Sequence, residues 1–431
     1  MAVALPASVL RLLRCGVPFV FALAAQAAET ETDARVLAME GVKAHEAKDE
    51  ATFLAKMEAA VALRPDYPRM LVNLAAAQLA NEHPDDAIAT LERLAALGVH
   101  SPVEKSADFT ALRGKKEFDA VVKKLSDNLD PKGKGEIAFS LPEVTGLIEG
   151  MAWREKTDEF FFGDVHLRAV WVRSKDKKVR RFSEENDALL GVFGLAVDED
   201  HGALWAATSA VSAMRGYVDD QKAVGGLAEL DLETGNVKRV VLVPADGKDH
   251  AIGDLVIAPD GSVFGSDSAA HTIWRLAPNG NELERWLEVP ELESPQGLVI
   301  ADDGRTLYVA DYVFGLFRID VGTRAIRRVA VPANTTLLGI DALVRAPDGT
   351  LLAVQNGVRP MRVLRLTLES PDSISQVDVL ESAHLTMAAP ALGCIAKGEF
   401  FFVGNSGWSR FEVAEPKPTA PRPVPIFHTK L

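Results

Sequence analysis

Cysteine is almost missing from this chain: of 431 residues only Cys15 and Cys394 are cysteines. Apolar runs are short as well, the longest near the start being Gly16 to Ala25, too short for the ~20 residues a membrane helix needs. Positive charge is in deficit, with 47 Lys and Arg against 61 Asp and Glu and a net charge of −14. An acidic balance of this size excludes nucleic acid and anionic membrane surfaces as partners, since both repel it. No G-x-S-x-G, Walker or dinucleotide glycine pattern opens a helix, so the sequence offers neither an α/β-hydrolase nucleophile nor a nucleotide cradle.

Residues 1–27 carry Arg11 and Arg14, then the apolar segment, then Ala25-Gln26-Ala27. A basic start, a short apolar stretch and an A-x-A site form a secretory signal, so the protein is expected in the periplasm or secreted. Without those 27 residues the net charge becomes −16, because two arginines and no acids are lost. Cys394 is then the one cysteine left, and the exported protein must be stable by burial with no internal disulfide.

Residues 33–127 are poor in glycine and repeat apolar positions at helical spacing, as in Leu71, Leu74, Ala75 and Leu79, then Ile88, Leu91 and Leu94. This stretch resembles tetratricopeptide repeats: Gly41, Ala60 and Pro65 fit one unit, and Leu71, Leu74, Ala87 and Leu91 a second. The resemblance implies a surface for a protein partner; a rigid spacer docked on the rest of the chain is the alternative. Asp130 to Gly135 reads as a linker.

From residue 136 to 411 the period changes to two. Ser294 to Val321 holds one complete unit, with short apolar strands meeting at tight turns such as Asp302-Asp303-Gly304. The unit recurs at Asp254–Leu276 and Asp341–Leu366, and more weakly from Glu149, Gly194 and Ala391. Aligned on the turn, the inner strands begin at Glu149, Gly194, Gly253, Gln296, Asp341 and Pro390, at spacings of 45, 59, 43, 45 and 49. Four strands per repeat of this length predict a mainly β protein, a six-bladed β-propeller behind an α-helical module. Either Glu136–Leu141 or the proline-rich tail 412–431 must supply the strand that closes the ring.

Positions at equal distance from the turn share one height around a propeller's channel, which brings Glu149, Gln296 and Asp341 together at its mouth. Two carboxylates and an amide oxygen suit a hard divalent cation, calcium above all. Asp254 is a further carboxylate at this level, as a ligand or as a cap on backbone N–H groups. His250 precedes the third inner strand and is a candidate proton acceptor. The insertion Ala210–Gly225 reads as a lid, with Arg215 and Tyr217 as ligand contacts. Asn356 and Arg359, and Asn405 and Trp408, come after the second strands of the fifth and sixth blades and suit a sugar or lactone ring.

The motifs IEGMAW at Ile148, SPQGLVIADDGRTLYVADY at Ser294 and GIDALVRAPDG at Gly339 resemble the family of gluconolactonases, senescence marker proteins and luciferin-regenerating enzymes, and more distantly paraoxonases and strictosidine synthases. The resemblance implies a six-bladed propeller and a metal-dependent hydrolase of a lactone or small ester, with a metal held by an acidic residue, one or two asparagines and an aspartate. Glu149 and Asp341 match the acidic positions, Gln296 stands where the family has Asn, and Gly253 where many members have another. Asp341 is then metal ligand and catalytic base. The competing expectation is a non-catalytic binding propeller whose repeats recruit a partner.

Overall fold

A computed structural model describes residues 34–142, 145–186, 188–221, 224–411 and 422–431; the expected export signal lies outside them. The first part is helical: α1 over 34–46, α2 Glu50–Leu63, α3 Pro68–Ala80, α4 Pro84–Ala96 and α5 Lys116–Asp127. Local chemistry sets the starts. Asp49 accepts from the Thr52 N–H at the head of α2, and proline opens both α3 and α4, where the missing N–H costs nothing. Helices α2 to α5 each pack on the next, and Gly41 of α1 lies against Phe53, Lys56 and Met57 of α2, burying Met57, Leu71, Leu74, Leu91, Leu94, Phe109 and Phe118 in one core, as in a helical repeat module. No helix among the described residues is long and apolar enough to cross a membrane.

The remainder is a six-bladed propeller of six four-stranded antiparallel sheets. Its inner strands are Ile148–Arg154, Gly191–Asp198, Ile252–Ile257, Pro295–Ile300, Ile340–Arg345 and Gly393–Ala396. Alternation of side chains gives each sheet two apolar faces, and each face meets a neighbouring blade: Phe161 with Leu204, Phe264 with Leu307, Tyr308 with Leu351, Val354 with Phe402, and Phe401 back onto Phe160. The core is thus a ring of inter-blade layers, and each fully buried phenylalanine contributes about 2 to 3 kcal/mol to it.

Both candidate segments close that ring. Val424–Lys430 forms the third strand of blade six and Glu136–Leu141 the outermost, pairing from Glu136 opposite His428 to Leu141 opposite Val424. The two ends of the propeller segment are therefore hydrogen-bonded to each other.

A repeated device fixes the loops above the inner strands. The second strands of blades one, three and four end in Asp164, Asp267 and Asp311, all fully buried. Asp311 accepts from the N–H groups of Glu293, Ser294, Val313 and Phe314 at 2.7 to 2.9 Å. Asp164 accepts from Gly146, Leu147, Leu167 and the Trp171 indole. In blade five the same place holds Gln355, whose amide donates to the Thr336 and Leu338 carbonyls and accepts from the buried Arg362.

The helical module docks on blades four and five. Arg362 donates to the Leu97 and Gly98 carbonyls at the C-terminal end of α4, where helix carbonyls lack partners and favour a cation. Arg328 pairs with Asp66 at 2.8 Å, and the His100 N–H donates to the Arg359 carbonyl at 2.6 Å.

Candidate functional site

The site is built from irregularities in the inner strands. Pairing with the second strand shifts register between Ile148 and Met151, Val192 and Leu195, Ile252 and Asp254, Pro295 and Leu298, and Ile340 and Ala342. The residues inside these shifts include Glu149, Phe193, Gly253, Gln296 and Asp341. A bulge releases a residue from the ladder and re-aims its side chain, which here points a set of them at the channel mouth. Gly150 and Gly297 come directly after Glu149 and Gln296 because neighbouring inner strands press together there. A Cβ on either would meet the Phe193 carbonyl at 2.0 Å or the Leu343 nitrogen at 2.4 Å.

Glu149, Asp254, Gln296 and Asp341 line one cavity of about 350 Å³, together with Phe193, Val211, Ser268, Tyr312, Asn356 and Trp408. A second cavity of about 310 Å³, walled mainly by apolar inner-strand residues, continues along the channel, and Asp254 and Leu392 border both. Asp254 therefore stands at the neck.

The three carboxylates are buried with few donors. Glu149 accepts one bond from the Trp408 indole at 2.9 Å; burial, and then the Asp341 charge, push its pKa well above the usual range. Asp341 accepts from the Asn356 amide at 2.7 Å, and burial raises it to about 6. Asp254 accepts from the Leu298 N–H of the next blade at 3.3 Å, and burial raises it to about 7. Tyr312 donates to the Asn356 carbonyl at 3.0 Å, and its own pKa is pushed up to about 12 by burial and then by the Asp341 charge. Tyr312, Asn356 and Asp341 thus form one chain of hydrogen bonds that aims the Asp341 carboxyl.

Other expected site residues lie elsewhere. His250 does not line the cavity: it is 2% exposed, with Nδ1 2.6 Å from Asp267 and Nε2 3.0 Å from Asp246. Both nitrogens are engaged by carboxylates, so the reading of His250 as the proton acceptor at the mouth is corrected to a loop anchor. Arg215 and Tyr217 do not line it either. Arg215 is exposed, Tyr217 packs beside Leu190, Ala210 and Met214, and from that insertion it is Val211 that reaches the wall. Asn405 bridges to Ala389 outside the cavity lining. Arg359 lies in an adjoining groove, whereas Asn356 and Trp408 stand in the cavity itself. Tyr312 and Phe193 join the site without having been singled out by the sequence pattern. The available signal for Tyr312 is its place directly after the buried Asp311.

The donors at the mouth are hard oxygens of the kind a divalent cation takes. Gln296 donates its amide N–H to the Ser294 hydroxyl at 3.1 Å, and its Oε1 lies 3.6 Å from where a Cβ on Gly253 would stand. The longer amide thus leans toward the place where Gly253 supplies no side chain. Among the described residues no three His, Cys, Asp or Glu side chains gather closely enough to hold a metal unaided, so amide oxygens would have to complete any such site.

Comparison with known proteins adds the lineage. Residues 147–359 match the family described as SMP-30/Gluconolactonase/LRE-like region. Among solved structures, a gluconolactonase from Xanthomonas campestris is 18% identical over 69% of this chain and 94% of its own, with a TM-score of 0.49. A structure described as a putative gluconolactonase is 19% identical over 70% and 95%, with a TM-score of 0.47. The calcium-binding protein regucalcin from Agrobacterium tumefaciens is 14% identical over 68% and 93%, also with a TM-score of 0.47. No curated protein compared with the chain matches its sequence.

Proposed function

Because residues 147–359 match the family described as SMP-30/Gluconolactonase/LRE-like region, we propose that the chain hydrolyses a lactone or related small ester at the channel mouth with the help of a divalent cation, calcium in the first instance. The observation that carries this reading is the meeting of Glu149, Asp254 and Asp341, from three different blades, on one cavity with all three pKa values raised. Buried like charges in such a place call either for protons or for a cation.

Glu149, Gln296 and Asp341 would hold the cation, with Asp254 at the neck beside them. When bound, it would polarise the carbonyl and acidify a water molecule. The remaining work falls to the chain. Asp341, oriented by Asn356 and Tyr312, accepts a proton from water attacking the carbonyl as the general base. Trp408 and Phe193 offer apolar faces to the ring, and the Trp408 indole holds the Glu149 carboxylate in place. The first 27 residues support release of the protein to the periplasm or medium.

The test is a panel of δ- and γ-lactones assayed with calcium, with magnesium and with chelator. Asp341→Asn should lower kcat/KM by about 10² or more, the range general bases supply. Turnover of the same lactones by Asp341→Asn at the wild-type rate would sink the reading.

A further inference from the structure

The channel-mouth cavity has a neighbour larger than itself. A groove of about 710 Å³ lies between the helical module and the propeller, and Tyr312 and Asn356 line both spaces. One wall comes from α3 and the segment after α4, through Arg69, Val72, Asn73 and His100; the other comes from the propeller loops, through Leu338 and Val358 to Arg359. No aspartate or glutamate borders it, although the chain carries 61 of them. Arg69 and Arg359, one from each wall, form no ion pair or side-chain hydrogen bond among the described residues. The Nδ1 of His100 faces the Leu125 carbonyl at 3.1 Å, and since a carbonyl only accepts, that nitrogen carries the proton and Nε2 is left available.

We propose that this groove is a substrate subsite for the distal part of a two-part ligand: an apolar body ending in a carboxylate or similar anion, whose reacting ring sits in the channel mouth. The inference rests on the hydrolase reading for what happens at the mouth, but not for what the groove binds. Guanidinium groups on opposite walls can clamp an anion with charge-assisted bonds. Val72, Val313, Leu338, Val358 and Met361 would cover the aliphatic or aromatic stem between the anion and Tyr312. The helical module then acts as half of a binding site, held in place by the bonds from Arg362 of blade five to the Leu97 and Gly98 carbonyls and by the Asp66–Arg328 pair. Free monosaccharide lactones, which lack such an extension, would be poor substrates beside acyl- or aryl-extended acidic ones.

Ligand-observed NMR titration of the full chain with 4-phenylbutyrate, which has the stem and the anion but no ester, tests the groove separately from catalysis. Binding should weaken about tenfold or more in Arg69→Ala/Arg359→Ala and recover largely in Arg69→Lys/Arg359→Lys; 4-phenylbutanamide should bind as weakly as the acid does to the double alanine variant. Equal binding of the acid to wild type and double alanine variant, or no binding to wild type, overturns the proposal. In parallel, a δ-lactone bearing a carboxybutyl chain should be hydrolysed with higher kcat/KM than its methyl ester, and Arg69→Ala/Arg359→Ala should erase that preference. Intact phenylbutyrate binding with no hydrolysis of either lactone would sink the hydrolase reading and leave the groove standing.

Discussion

Two sets of buried carboxylates occupy the same end of the propeller, and they differ in how many donors surround them. Asp164, Asp267 and Asp311, at the ends of second strands, are each satisfied by four N–H donors. Glu149 and Asp341, at the bulged starts of inner strands, have one side-chain donor apiece. Burial raises the pKa of Asp164 and Asp311 as it does those of Glu149 and Asp341, but for Asp164 and Asp311 the backbone bonds oppose it directly. A buried acid with its lone pairs filled is part of the scaffold. One left short of donors, beside a cavity and another acid, is available for a ligand, a cation or a proton.

The sharpest way to break this distinction is to remove one acid from each set. Asp311→Ala strands four backbone N–H groups around a buried side chain, at about 1 to 3 kcal/mol per orphaned group before relaxation. A net loss of about 4 kcal/mol or more in urea unfolding is expected. Asp341→Asn in chelator should cost little or even stabilise, since it removes a like charge from the mouth. A destabilisation of Asp341→Asn as large as that of Asp311→Ala would erase the distinction between the sets.

A cation tests the same contrast from the other side. Calcium at a hundredfold excess over its Kd should stabilise the wild-type protein by about 2.7 kcal/mol, read as a rise in Tm, and Asp341→Asn should lose most of that rise. Asp164→Asn should keep the calcium response while lowering the starting Tm. A melting curve indifferent to calcium, magnesium and chelator would remove the cation from the proposed mechanism.

How much of this is legible in the sequence depends on which forces leave a periodic trace. Alternating strands recur in every blade and Asp-Gly turns in blades three to five, so the six-bladed ring and a common height for Glu149, Gln296 and Asp341 can be read from the pattern. The bulges cannot, because a register shift depends on the partner strand and not on any one residue. His250 misleads for a related reason: its partners, Asp246 and Asp267, lie 4 and 17 residues away, and only the folded blade brings them to both nitrogens of the ring. Docking of the helices rests on single contacts such as Arg362 with Leu97, 265 residues apart, which no local pattern announces. The closing strand is ambiguous in the sequence because blade six uses both candidates.

The smallest effect is the most specific to the mouth. Asp254 and Asp341 are raised to about 7 and about 6 from 3.8, so between those values the folded protein holds protons that the unfolded chain has released. Their contribution to stability is therefore fully present below about pH 4 and is lost as pH rises through 6 and 7, by up to about 1.4 kcal/mol per pH unit for each group. Carboxylates held below their usual range, such as Asp176 at about 2 and Asp246 lower still, act in the opposite sense and only at more acidic pH. In chelator, then, wild-type Tm should fall relative to Asp254→Asn/Asp341→Asn between about pH 4.5 and 7.5, because the amides imitate the protonated acids at every pH. Saturating calcium should cancel the fall in the wild type and leave the variant unmoved. Two melting-temperature curves that run parallel across that window would mean that the mouth carboxylates are as well satisfied as Asp311, and the comparison would fail where it matters most.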